Sequence, residues 1–238
     1  MIKKCLVLGL LLATQLAHAG ENPYEKNYQA QNSGGLASLQ ANPDTKMYVS
    51  NHKDDDNISM LEDGYDLMGS SGFEAGDVAP ALALQHAKSI KADSVLVYSK
   101  YASKQSSISK IQAIKEAAKT THEVDASVLK ADEEQYKYFA SYWAKLPAPL
   151  LGVHVVKLKP IDAKAEDGLK ILAVIKDSPA AKANLLRGDN LLKIGDVVLQ
   201  KPEELSAIVR QFQGQNVLIE YARNDVKATT KAQINAKN

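Results

Sequence analysis

Pro147-Ala148-Pro149 limits the fold of this chain more than any other feature. Two prolines within three residues remove two backbone donors and hold φ near −65°, so neither a helix nor a central strand runs through them. The chain is therefore expected to build its structure separately on either side of this point.

The start of the chain reads as a leader. Lys3 and Lys4, the apolar run from Cys5 to Leu16, and Ala17-His18-Ala19 before Gly20 have the order of a secretory signal peptide cleaved after Ala19. The run is too short to span a bilayer, and Cys5 lies in the basic region rather than at the cleavage point, which argues against a lipid anchor. The mature chain is expected to be periplasmic or secreted, without a transmembrane segment. Loss of residues 1–19 removes two lysines, so 29 − 2 = 27 basic residues remain against 28 acidic ones. That balance offers no general attraction to nucleic acid. The single cysteine leaves with the leader, which excludes disulfides, thiolate metal ligands and a cysteine nucleophile from the mature chain. The remaining 238 − 19 = 219 residues suit two domains of about 100 residues each.

Residues 20–45, rich in Asn, Gln, Ser and Gly without apolar periodicity, read as a flexible leader. Residues 46–147 read as an α/β domain of unknown function. Met47-Tyr48-Val49 suggests a short strand, Asn57 to Asp63 one or two helical turns closed by Gly64, and Tyr65 to Met68 a strand. Val78 to Lys91 carries Leu84, Ala87 and Ile90 at helical spacing, and Val95 to Tyr98 follows as a buried strand. Ile108, Ile111 and Ile114 point to a helix within 102–135. Tyr136 to Leu146 fits helical or strand periodicity, and the alternation of Tyr136, Tyr138, Ala140, Tyr142 and Ala144 favours the strand. Its aromatic residues suit a core or an interaction patch.

Beyond the prolines several motifs fall in a fixed order. Leu150-Leu151-Gly152-Val153 has the pattern apolar-apolar-Gly-apolar. Gly168 to Ile175 reads as a strand, followed by Asp177-Ser178-Pro179-Ala180-Ala181-Lys182-Ala183-Asn184-Leu185, Leu186-Arg187-Gly188-Asp189, a strand over Leu191 to Ile194, a helix over Pro202 to Gln213, and strands over Asn216 to Tyr221 and Val226 to Ile234. Ser178 before Pro179 is a good helix start. The segment resembles a bacterial PDZ domain of the kind attached to HtrA-type periplasmic proteases. Where that family has Gly after the short helix this chain has Asn184, the residue next most tolerant of left-handed backbone. The resemblance implies an α+β chain: an α/β domain followed, over residues 148–236, by a PDZ domain, a small β-barrel with two helices.

A weaker resemblance covers the first half. Gly64-Tyr65-x-Leu67-Met68-Gly69-Ser70-Ser71-x-Phe73, Ala87-Lys88-x-x-x-Ala92-Asp93-x-Val95 and Tyr138-x-x-x-Tyr142-Trp143-x-Lys145 are similar to α/β domains beside PDZ modules in Gram-negative envelope proteins. No activity comes with that likeness.

The PDZ resemblance implies that the backbone amides of Leu151, Gly152 and Val153 capture a peptide's terminal carboxylate, while the strand after them offers an edge for main-chain pairing. Leu151, Val153 and Val155 alternate onto one face and leave His154 on the other. Leu205, Val209 and Phe212, at i, i+4 and i+7, form the facing helix stripe. Burying one Val, Leu or Phe contributes roughly 1.5–3 kcal/mol, short of the ~8 kcal/mol of a micromolar complex. Backbone pairing and carboxylate capture must supply the rest, so micromolar binding is expected. Leu205 at the helix start predicts an apolar third-from-last peptide residue. The alternative is that the helix stripe is simply core.

Other patterns carry less. Asn32-Ser33-Gly34-Gly35 resembles a trypsin-like nucleophile segment, but no barrel with its His and Asp precedes it. Gly69-Ser70-Ser71-Gly72 with Gly76, read as a turn between strand and helix, lacks the residues of a phosphate loop. Asp54-Asp55-Asp56 beside His52 lacks EF-hand spacing, and His86, His122 and His154 have no partner by spacing. No catalytic residues, metal ligands or cofactor are expected. The reading is a non-enzymatic adaptor binding C-terminal or unfolded segments of envelope proteins. Its rivals are a regulatory partner of a separate envelope protease or secretion system, and an enzyme with a site near Gly69 to Gly76.

Overall fold

The structure, a computed structural model, describes residues 21–31, 35–102, 135–158 and 168–236, with 112, 115, 116 and 119 as helical positions between them. Residues 1–20, where a leader peptide is expected, Asn32-Ser33-Gly34 and Ile108, Ile111 and Ile114 lie outside those residues. The described chain is α+β, with two sheets and short helices.

The first sheet contains β1 (Tyr28–Ala30), β2 (Lys46–Val49), β3 (Tyr65–Ala75), β4 (Ser94–Tyr101) and β5 (Tyr136–Lys145) in the order β1-β3-β5-β4-β2. β5 is antiparallel to both β3 and β4, so those two run parallel with β5 inserted between them. Tyr136 to Lys145 is thus the strand that its alternation favoured. Both its faces are covered, which explains why helical spacing fitted as well. Tyr138, Ala140, Tyr142 and Ala144 meet helix α3 (Ala81–Ser89), whereas Trp143 and Phe139 meet α2 (Lys53–Glu62) on the opposite side. Buried Trp143 satisfies its Nε1 with Ser141 Oγ at 2.9 Å.

Four expectations change. Residues 20–45 are not simply a flexible leader: Asn22 caps the single turn α1 (Pro23–Lys26), Tyr24 is fully buried, and β1 pairs with β3. Two tyrosines were enough to anchor a segment whose average composition is polar. Helix α2 begins at Lys53, so Asp54-Asp55-Asp56 form its first turn, where acidic side chains favour the helix dipole. Helix α3 is shorter than expected because Pro80 stands just before its first residue. The strand at Tyr65 runs on to Ala75, so the Gly69 to Gly72 segment is strand interior rather than a turn.

The second sheet follows the order β11-β10-β8-β7-β6, with β9 paired to β8. Its strands are β6 (Val153–Val156), β7 (Leu169–Val174), β8 (Asn190–Ile194), β9 (Val197–Val198), β10 (Asn216–Arg223) and β11 (Val226–Gln233). Helices α4 (Pro179–Lys182) and α5 (Pro202–Gln211) complete this half. Leu169, Ile171, Leu191, Ile194, Leu199, Ile219 and Ile234 form its centre, each no more than 1% exposed. Ser178 Oγ accepts from Ala181 N–H at 3.2 Å at the start of α4, and Asn184 ends that helix with φ 59°. Buried Asp189 grips Arg223 by two bonds, from Nε at 2.7 Å and Nη2 at 2.8 Å, and accepts a third from Leu186 N–H.

The halves meet at the end of α2. Lys176 N–H donates to Glu62 O at 2.8 Å, and the Lys176 ammonium pairs with Asp63. Among the described residues, no helix is long and apolar enough to cross a membrane.

Candidate functional site

The segment Pro149 to Val153 leads into β6, which has β7 on one side and no strand on the other. Every carbonyl from Pro149 to Gly152 has an internal donor. Pro149 O accepts from Asn235 Nδ2 at 2.8 Å, Leu150 O from Asn235 N–H at 3.0 Å, Leu151 O from Ala180 N–H at 2.9 Å, and Gly152 O from Ile175 N–H at 2.9 Å. Ser178 Oγ adds a longer bond to Gly152 O at 3.4 Å.

A trans peptide unit points its N–H opposite to its C=O. Fixing these carbonyls inward therefore turns the amides of Leu151, Gly152 and Val153 the other way. Neither Leu151 N–H nor Gly152 N–H has an acceptor among the described residues. For Val153 the ladder gives the same answer. The Ile175 to Gly152 bond makes Val153 and Val174 a non-hydrogen-bonded pair, so Val153 directs both its N–H and its C=O to the open edge. Successive free amides at one corner make a binding concavity for an anion.

Gly152 is required twice over. Its φ is +89°, and a Cβ there would lie 2.3 Å from Ser178 Cβ. The capped start of α4 is thus the wall against which the loop is pressed. Ser178 was legible in the sequence as a helix cap, but not as a support of this loop. Asn235 was missed altogether, because a lone Asn after a final strand has no motif around it.

The predicted side chains gather unevenly. Leu151, Leu205 and Val209 belong to the buried core, 3%, 8% and 4% exposed, with Ile208 beside them; Val153, Val155 and Phe212 pack against its margin. Phe212 stands over the β8–β9 turn, where a Cβ on Gly195 would come within 2.8 Å of its ring. The stripe of α5 is therefore drawn into the barrel more than spacing alone implied, and the half-buried edge strand remains the accessible wall. His154, on the other face of β6, has a buried Nε2 without a partner among the described residues. Burial holds its pKa below the ordinary value against the opposing charge of Asp66.

The other candidates separate. Gly69 lies where a Cβ would meet Gln29 O at 2.5 Å and the Tyr28 ring at 2.6 Å, so this glycine admits β1 to the sheet rather than a phosphate. His86 is buried against the rings of Tyr28 and Tyr142, and burial lowers its pKa. Depressions of about 520 and 460 Å³ lie elsewhere, one lined by Lys157, Lys193 and Lys201, the other by Tyr48, Asp56 and Tyr65.

A small barrel with an open edge strand, a glycine loop of free amides and a helix beside it fits a PDZ domain, a peptide-binding, protein-interaction class. Residues 149–234 match the PDZ domain model and form that domain. Similar solved structures include the HtrA3 PDZ domain bound to a phage-derived ligand, at 20% identity over 35% of this chain and 81% of that one, with a TM-score of 0.31. The HtrA-type protease AlgW with a decapeptide is 28% identical over 37% of this chain and 29% of that one, TM-score 0.33. A serine endoprotease from Yersinia pestis is 18% identical over 38% of this chain and 30% of that one, TM-score 0.30. The chain thus spans under a third of either protease. No curated protein matches it.

Proposed function

We propose that this protein is an exported, non-enzymatic adaptor whose PDZ domain captures the C-termini of envelope proteins. The amides of Leu151, Gly152 and Val153 bind the terminal carboxylate, and the peptide adds as a strand along β6. Its last side chain lies against Val153, Val155 and the margin of Leu205, Val209 and Phe212. The observation that carries this reading is the set of inward-bonded carbonyls from Pro149 to Gly152, which leaves the amides facing out. Export rests on Lys3, Lys4, the apolar run and Ala17-His18-Ala19.

A C-terminal peptide display screen against the mature chain tests the reading. The expected result is a consensus ending in an apolar residue, bound at micromolar affinity and weakened at least tenfold when the peptide ends in an amide, since charge-assisted bonds are about twice as strong as neutral ones. Absence of enrichment, or equal binding of acid and amide, overturns it.

A further inference from the structure

Among the described residues, Asn235 alone holds two consecutive carbonyls of the loop, Pro149 O through its side-chain Nδ2 at 2.8 Å and Leu150 O through its backbone N–H at 3.0 Å. It follows directly on fully buried Ile234, whose N–H is itself bonded to Gln215 O, so its position is set by the barrel core. The peptide plane that ends in Leu151 N–H begins with Leu150 O. The direction of that first free amide is set both by the donor to Leu150 O and by the Pro149–Leu150 plane before it, which the Asn235 side chain holds through Pro149 O. The following planes are held by Ile175, just after β7, and by Ala180 of α4, and among the described residues neither element donates a backbone bond to Pro149 O or Leu150 O.

We infer that Asn235 is a positioning residue for carboxylate capture: its paired bonds set the tilt of the Pro149–Leu151 backbone and so aim the Leu151 amide at the ligand's carboxylate. Asn suits the position because it carries a donor two bonds beyond Cβ, short enough to reach Pro149 O while its own N–H stays on Leu150. The inference rests on the loop being the carboxylate site. Asn235→Ala keeps the backbone bond and removes the side-chain one, leaving the first plane of the loop free to rotate.

The test uses the full mature chain and a fluorescein-labelled nonapeptide ending in Val-Ala-Val, prepared as free acid and as C-terminal amide. Fluorescence polarisation of the native protein is expected to show the acid bound about tenfold more tightly than the amide. In Asn235→Ala that ratio falls to about twofold, with amide affinity nearly unchanged. Asn235→Leu, which keeps the shape without the donor and adds no charge, loses the ratio in the same way and serves if the alanine variant does not fold. A purely structural role would weaken acid and amide together, and that outcome overturns the inference, as does a full acid preference in either variant. No acid preference in the native protein overturns the reading of the loop itself, and the role of Asn235 with it.

Discussion

In β3 the Gly69-Ser70-Ser71-Gly72 segment lies between β1 and β5, and in the second half Leu150-Leu151-Gly152-Val153 runs into an edge strand. Both glycines exist because another part of the chain comes too close for a Cβ, 2.5 Å at Gly69 and 2.3 Å at Gly152. Their consequences are opposite. Gly69 lets β1 pair with a strand already bonded on its other side, so the backbone of β3 is taken up by neighbours. Gly152, at positive φ, reverses the chain before a strand with one open side, so its carbonyls turn inward and its amides outward. Whether a glycine leaves neighbouring amides free depends on the edge that the fold leaves beside it, not on local composition.

Gly152→Ala should give the largest effect. The contact with Ser178 and the left-handed backbone together cost about 3 kcal/mol, and acid-terminated peptides lose measurable binding; urea unfolding and polarisation read the two effects. Gly69→Ala should cost about 2 kcal/mol by pushing β1 off the sheet, with peptide affinity unchanged. If Gly69→Ala weakened peptide binding as much as stability, the two glycines would not be separable in function and the contrast would break.

The smallest effect is a pH dependence. His86 and His154 both have pKa values held below the ordinary one by burial. On acidification through about pH 6.5 the unfolded chain gains protons that the native one does not, so this stability is present above that pH and lost below it. Urea midpoints at about pH 7.5 and about pH 5 should differ in that direction. His86→Phe and His154→Gln should each remove part of the difference. His154 is opposed by Asp66, so Asp66→Asn should steepen the slope.

Much of the second half was legible. Ser178-Pro179, Asn184, Gly188-Asp189 and Leu150 to Val153 are local patterns whose backbone needs are strong enough to be read one after another. Asn184 does adopt left-handed backbone at φ 59°. The first half was harder, since β3, β4 and β5 are covered on both faces and lose the simple alternation of half-buried strands. Tyr24 and Tyr28 were overlooked because averaged polarity hides two anchoring rings. For the candidate site, the loop and edge strand were visible in the order of motifs, but Asn235 was not, and Leu205 and Val209 sit deeper in the core than their helical spacing revealed.

What the amino-acid order determined alone was every feature enforced within a few residues: the break at the prolines, the cap at Ser178, the left-handed position at Asn184 and the glycine loop. Tertiary structure alone decided which carbonyls of that loop found donors, because those donors come from Ile175, Ala180 and Asn235, the last of them 86 positions from Pro149. Hydrogen-bond partners so distant in sequence carry no local periodicity, and they meet when burial of the barrel core brings their strands together.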